Sequence, residues 1–466
     1  MDLWRLNIHE LTAGYRNGKF SPVEIFDSTV KRIDAVNPVL NAIVSFNWAE
    51  ARAAAEASAA RWKNDAALSE IDGVPITVKD NIPVRGLPCT WGSRSYADYR
   101  PERDEFPIAR LRQAGVVILG KTNAPEFTLQ GYTDNLVYGA TGNPWNPDLT
   151  PGGSSGGAVA AVASGMGVAA IATDGGGSIR RPCAHTGLYG LKPSPGFVGR
   201  ADGLPALLGD FETMGPIARS ASDLRCILQI MAARHPFDRA SMAFTEEQRR
   251  QAPRVAPGRK ILCVAQFGDA PVDPDIRSSL LNACDTLTAL GHHVESGSVP
   301  FDVDRLNAIW GLIGPVGLAW LVDSHGIDPS LLNDSLLPMI EVGRSASASQ
   351  YVQLLNDVAD FRVGLARIFT AYDFILTPSV AAMPWPKAES HPELINGTAA
   401  GPRGHAIFTP FANAGGLPGI NLPTRPSANN MPIGCQIVGP FGSDLELVSM
   451  AEAYENEMGR FRWPNL

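Results

Sequence analysis

Two glycine-serine clusters lie within one stretch, Gly152–Pro182, which reads GGSSGGAVAAVASGMGVAAIATDGGGSIRRP. The first cluster is Gly152-Gly153-Ser154-Ser155-Gly156-Gly157 and the second is Gly175-Gly176-Gly177-Ser178. Glycine beside serine lets the backbone take φ > 0 and approach another group closely. Consecutive glycines also leave N–H groups bare, and such groups can converge on an anion or a developing oxyanion. Read without chemistry, these are two polar turns flanking a buried segment. The segment between them is small, apolar and almost uncharged, which favours the chemical reading. Lys79 completes a possible set, at the end of the short apolar run Val74-Pro75-Ile76-Thr77-Val78. A lysine can act as the base for a serine hydroxyl if it is desolvated enough to be neutral. A second serine can relay a proton without carrying charge. Spacing alone does not show that Lys79, Ser154 and Ser178 meet.

Two other patterns fit on paper and fail on physics. Gly115-Val-Val-Ile-Leu-Gly120-Lys121-Thr122 matches GxxxxGK[ST], but its four middle residues are bulky or β-branched. They predict a buried strand ending in a surface lysine, not a loop of exposed N–H groups. Gly152-Gly153-Ser154-Ser155-Gly156 matches GxSxG, an elbow that needs a strand just before it. Pro144, Pro147 and Pro151 stand there instead, and proline does not fit a central strand.

The elements that must position these residues follow from periodicity and capping. Ser21-Pro22-Val23-Glu24 marks a helix start, and the first sixty residues read as a helical arm. Helices are expected near 105–114, 158–164, 222–232, 275–290, 444–458 and through most of 306–369. Strands are expected at 74–79, 116–119, 167–173, 261–264, 293–295, 374–377, 418–423 and 433–438. This alternation predicts an α/β sheet. The charged, proline-rich segment 234–260 reads as a linker or a surface insertion.

Composition bounds the rest. The chain has 466 residues, 45% hydrophobic and 18% charged, with net charge −8 and no basic stripe, so nucleic acid is not an expected partner. No signal-like apolar region opens it, and the longest uncharged apolar stretch is read as 159–173, so a membrane is not expected and the cytoplasm is the default location. Six scattered cysteines form no CxxC pair, and the histidines show no HExxH spacing, so neither a metal nor another cofactor is expected. The pair His292-His293 reads as surface.

Several long motifs in order resemble the amidase signature family of serine hydrolases over nearly the whole chain. They are GVPITVKDN (73–81), PGGSSGGAVAAVASG (151–165), TDGGGSIRRPCAHTGLYGLKPS (173–194), GPIARSASDL (215–224), DFILTPS (373–379), FANAGGLPGINLP (411–423) and MPIGCQIVGP (431–440). The resemblance implies one domain over 1–466, built as a large mixed β-sheet with α-helices on both faces, and makes 234–260 a surface insertion. It implies Ser178 as nucleophile, Ser154 as bridging serine on a cis peptide, and Lys79 as base. The N–H groups of Gly175, Gly176, Gly177 and Ser178 would form the oxyanion hole, with Ser155, Asp174 and Arg180 holding the loops. One departure is Gly175, where the family often carries a larger residue; only a backbone N–H is needed there.

The implied reaction is hydrolysis of a carboxylic acid amide through an acyl-enzyme, with a small-molecule amide as partner. By position, Thr128, Leu129 and Gln130 are candidates for substrate binding, as are Phe211, Trp310 and Trp320. If these line the pocket rather than the core, an apolar or aromatic acyl group is expected, with hydrazides as possible relatives. Two rivals differ. A glutaminase component of a tRNA-dependent amidotransferase is expected to carry charged residues and a tyrosine-rich segment centrally, whereas 309–332 is apolar. A non-catalytic scaffold would have no need of Lys79, Ser154 and Ser178 together. A homodimer through the N-terminal helices is the expected assembly.

Overall fold

The first helices start where their capping residues place them. Asn7 accepts the Glu10 N–H at 2.8 Å to begin α1 (Ile8–Arg16), and Ser21 with Glu24 forms the reciprocal cap of α2 (Pro22–Leu40). A computed structural model describes residues 2–251, 253 and 255–466. The N-terminal arm is not wholly helical. Ile43–Phe46 forms strand β1 before α3 (Trp48–Lys63), because Ile43, Val44 and Phe46 fit an edge of the sheet.

The centre of the sheet is built from short strands buried on both faces. Strand β2 (Pro75–Lys79) lies between β3 (Val117–Thr122) and β4 (Ala169–Asp174), parallel to both, and every residue of the three is buried. Burial on both faces is why they read as continuous apolar runs without alternation. Helix α4 (Phe106–Gln113) precedes β3, and α5 (Gly156–Ala163) precedes β4. All eight residues of α5 are buried, and they are small because the backbones come so close. A β-carbon on Gly157 would lie 2.6 Å from the Ala42 carbonyl oxygen.

After β4 come α6 (Arg180–Thr186), β5 (Tyr189–Lys192), β6 (Thr213–Ala218) and α7 (Ala221–Met231). Strands β5 and β6 go unread in the sequence, their glycine and proline residues disguising buried positions. Within 234–260, α8 (Glu246–Arg250) carries the buried Arg249, which donates to the carbonyls of Gly196, Phe197, Ser241 and Phe244 at 2.6–3.0 Å. Residues 252 and 254 of that segment lie outside the described residues, as does Met1 of the N-terminal arm.

The second half adds β7 (Lys260–Cys263), α9 (Pro274–Ala289), β8 (His293–Ser296), α10 (Val303–His325), α11 (Leu337–Ser345), α12 (Ala348–Ile368) and β9 (Phe374–Pro378). A small hairpin, β10 (Leu394–Ile395) with β11 (Thr398–Ala399), stands apart from the main sheet. Then follow α13 (Pro410–Ala414), β12 (Gly419–Pro423), β13 (Gly434–Val438) and α14 (Asp444–Met458). The result is one eleven-stranded mixed sheet, ordered β1-β3-β2-β4-β6-β5-β12-β13-β9-β7-β8, covered by helices.

Three expectations are corrected here. Lys121 is not a surface residue: β3 is interior, and the Lys121 Nζ donates to the Ile82 carbonyl at 2.6 Å and lies 3.8 Å from Asp80 Oδ1. His292 is 5% exposed, folded inward as the chain turns through Gly291. The longest strongly apolar helix is α10, not 159–173; it has the length and mean hydropathy (1.4) of a membrane span, with 56% of that window packed inside the protein.

Candidate active site

Lys79 ends β2 between two fully buried strands, and its side chain is out of contact with solvent. Its Nζ lies 2.7 Å from Ser154 Oγ, 3.1 Å from Thr173 Oγ1 and 3.3 Å from the Thr173 carbonyl. Burial pushes the Lys79 pKa down to about 7, against the opposing pull of Glu212 and Asp174. Near neutral pH a large share of this lysine is therefore an uncharged amine, as a base must be.

Ser154 stands just before α5, with Gly152 at φ +85 and a cis Gly153–Ser154 peptide. Glycine is required at 153, since a β-carbon there would meet the backbone of Tyr132. Ser178 lies on the loop between β4 and α6, and only 5% of it is exposed. The two loops are joined directly: the Ser155 N–H donates to the Ser178 carbonyl at 3.2 Å, and the Ser155 hydroxyl donates to the Thr173 carbonyl at 3.3 Å. Among the described residues, the Ser154 and Ser178 hydroxyls make no hydrogen bond to each other.

Asp174 organises the Ser178 loop. Its Oδ1 accepts the Gly177 N–H at 2.7 Å and its Oδ2 accepts the Ile179 N–H at 3.1 Å. Arg180 closes on it from the side, Nε to Oδ2 at 3.0 Å and Nη2 to Oδ1 at 2.9 Å. The other Arg180 side-chain hydrogen bonds go to Asn413 Oδ1, Gln436 Oε1 and the Thr409 carbonyl. Burial raises the Asp174 pKa, but the Arg180 charge and hydrogen bonds outweigh it and hold the carboxyl well below the usual range. Of the four N–H donors expected from sequence at Gly175, Gly176, Gly177 and Ser178, that of Gly177 is already engaged by Asp174. Asp174→Ala would leave the fully buried Arg180 without its counter-charge. It is expected to cost about 3–5 kcal/mol in urea unfolding, and a loss below about 1 kcal/mol would show that the pair does not hold the loop.

The surroundings divide the other candidates. Thr128 and Leu129 line a small cavity with Asn81, Trp91, Phe127 and Leu208. Asn81 links that cavity to the site, its Nδ2 donating to Thr173 Oγ1 at 2.9 Å. Phe211 and Trp310 pack together at 5.6 Å, and a β-carbon on Gly176 would lie 3.1 Å from the Trp310 ring. Gln130 is not in that cavity; it donates to Ser335 Oγ at 2.9 Å. Trp320 is 46% exposed on α10 and stacks edge-on with His325, away from these residues. Among the described residues, no group of three or more histidine, cysteine or acidic side chains is placed to hold a metal ion.

The amidase family model matches residues 24–448. The chain belongs to the amidase family. It is 30% identical over 484 aligned positions to a glutamyl-tRNA(Gln) amidotransferase subunit from Halothermothrix orenii, covering 98% of each chain. The crystal structure of a bacterial aryl acylamidase of the amidase signature family superposes with a TM-score of 0.88 at 28% identity, over 97% of this chain and 96% of that one. 6-Aminohexanoate cyclic dimer hydrolase, solved with its substrate, gives 0.87 at 26% identity over 100% and 99%. The mixed sheet with its covering helices is thus the amidase signature fold.

Sequence reasoning missed Thr173, Asn81 and Asn413. All three lie inside the motifs quoted above, but their side chains act by reaching across loops, which linear order hides. The Asn413 side-chain amide donates to the Asp174 carbonyl, to Asp174 Oδ1 and to the Phe211 carbonyl.

Proposed function

We propose that this chain is an amidase that cleaves a carboxylic acid amide through an acyl-enzyme on Ser178. The observation that carries the reading is the buried Lys79 amine, with a pKa near 7 and 2.7 Å from Ser154 Oγ. Neutral Lys79 accepts the Ser154 hydroxyl proton across that distance, and Ser154 accepts the proton of Ser178. The Ser178 oxygen attacks the carbonyl carbon, and the oxyanion forms against the N–H groups of Gly175, Gly176 and Ser178. The relay then runs backwards to protonate the leaving amine, and water releases the acid from Ser178. Asp174 and Arg180 touch no substrate; they fix the loop that presents these donors.

The acyl group we assign is apolar or aromatic, supported by Leu208 and Trp310 beside Gly175 and Gly176. A second reading, the glutaminase component of an amidotransferase, is supported by the likeness to the Halothermothrix orenii protein. Amine or ammonia release by the isolated chain separates the two. The amidase reading expects aryl or alkyl amides to exceed glutamine in kcat/KM by about 100-fold. Activity confined to glutamine, or appearing only with partner proteins, would overturn it.

A further inference from the structure

At the opposite end of the sheet from Lys79, β7 lies beside the edge strand β8, and α9 packs across that end. Cys263 is the last residue of β7 and is 3% exposed. Cys284 lies 21 positions further along, in α9, and is half-buried. The two sulfurs are 3.3 Å apart, in hydrogen-bond contact, and both are free thiols. Among the described residues no other two cysteines touch in this way, and the other four are all buried. Packing alone does not ask for a thiol at 284. Ile276, Leu280, Ala283 and Leu287 already supply the buried face of α9, and residue 284 reaches solvent.

The contact also makes the two thiols unequal. The Cys263 thiol can donate to a Cys284 thiolate, and that hydrogen bond, with burial acting against it, holds Cys284 below the ordinary thiol range. The same contact, followed by burial, pushes Cys263 up. Burial pushes Cys89 and Cys226 up to about 12 and raises Cys183 and Cys435 as well. Cys284 is thus the thiol that both reaches solvent and is favoured as the thiolate, which is the nucleophilic form.

We infer that Cys263 and Cys284 form a dithiol site that reacts with small disulfides and closes to an intramolecular bridge between β7 and α9. The site does not depend on what Ser178 does. The Cys284 thiolate attacks one sulfur of a disulfide such as oxidised glutathione, breaks its S–S bond and expels one glutathione thiolate. Cys263 then loses its proton to that thiolate and attacks the Cys284 sulfur, expelling the second glutathione. Two protein thiols are oxidised to one disulfide, and one oxidised glutathione is reduced to two thiols. Because the sulfurs already touch, the second step needs little movement of β7 or α9. The bridge joins a helix to the strand it packs near and closes the chain between them, which restricts the unfolded state more than the folded one. The redox poise of the surroundings then sets how firmly this end of the sheet is held.

The test treats the native, fully reduced protein with oxidised glutathione and reads intact mass, non-reducing peptide maps and thermal unfolding. Wild type is expected to lose the mass of two hydrogens, to join the peptides carrying Cys263 and Cys284, and to revert with dithiothreitol. Its Tm should rise by about 3 °C on oxidation. Cys263→Ser should stop at one glutathione on Cys284, and Cys284→Ser should stay unmodified, with no oxidation-dependent shift in Tm for either. Wild type that stays reduced, keeps a glutathione without closing, or bridges Cys284 to Cys435 would overturn the site. A glutathione on Cys263 in Cys284→Ser would overturn Cys284 as the entering thiol. A bridged wild type with an unchanged Tm would overturn the stabilising role.

Discussion

Replacing Ser178 with alanine is expected to lower amide turnover by at least about 10,000-fold, because without the hydroxyl no acyl-enzyme can form. The variant should fold as the parent does. The links that hold residue 178 run through its backbone, with the Ser155 N–H donating to its carbonyl, and Asp174 holds its neighbours Gly177 and Ile179. Alanine keeps all of these, so a shift of less than about 1 kcal/mol in stability is expected. Turnover within about tenfold of wild type would mean that another group attacks the substrate.

Lys79→Met should cost about 1,000-fold or more in the acylation rate and should also change its pH dependence. In wild type, a proton on Lys79 blocks the relay, so kcat/KM should rise about tenfold per pH unit below the pKa near 7 and level off above it. Methionine keeps the volume but has no titrating group, so that limb should vanish, and part of the lost activity should return at high pH as hydroxide takes over as base. The sign follows from burial. Desolvation disfavours the ammonium and lowers the pKa, so the active, neutral form is the one favoured as pH rises. A pH profile unchanged in Lys79→Met would show that a different group sets it.

Much of this arrangement was legible in the sequence because it is written in local terms. The Ser21 and Glu24 cap, the apolar run into Lys79 and the glycines around Ser154 and Ser178 each express a short-range constraint. What was not legible depends on what lies opposite. Ile43–Phe46 became a strand because β3 offered an edge, and Lys121 is buried because β1 and β2 flank its strand. Gly177 loses its N–H to Asp174, a contact set by the curl of the loop. Gln130 bonds to Ser335 instead of joining Thr128 and Leu129 at their cavity, and Trp320 is exposed on α10, since position in the chain does not fix which way a side chain turns.

The central claim is that the buried Lys79 activates Ser178 through Ser154. Intact-protein mass spectrometry after exposure to a fluorophosphonate tests it most directly, with Ser178→Ala and Lys79→Met beside wild type. The account predicts one adduct on wild type, none on Ser178→Ala, and labelling slowed by about 1,000-fold in Lys79→Met at neutral pH. An unlabelled wild type, or an adduct that persists in Ser178→Ala, would contradict it.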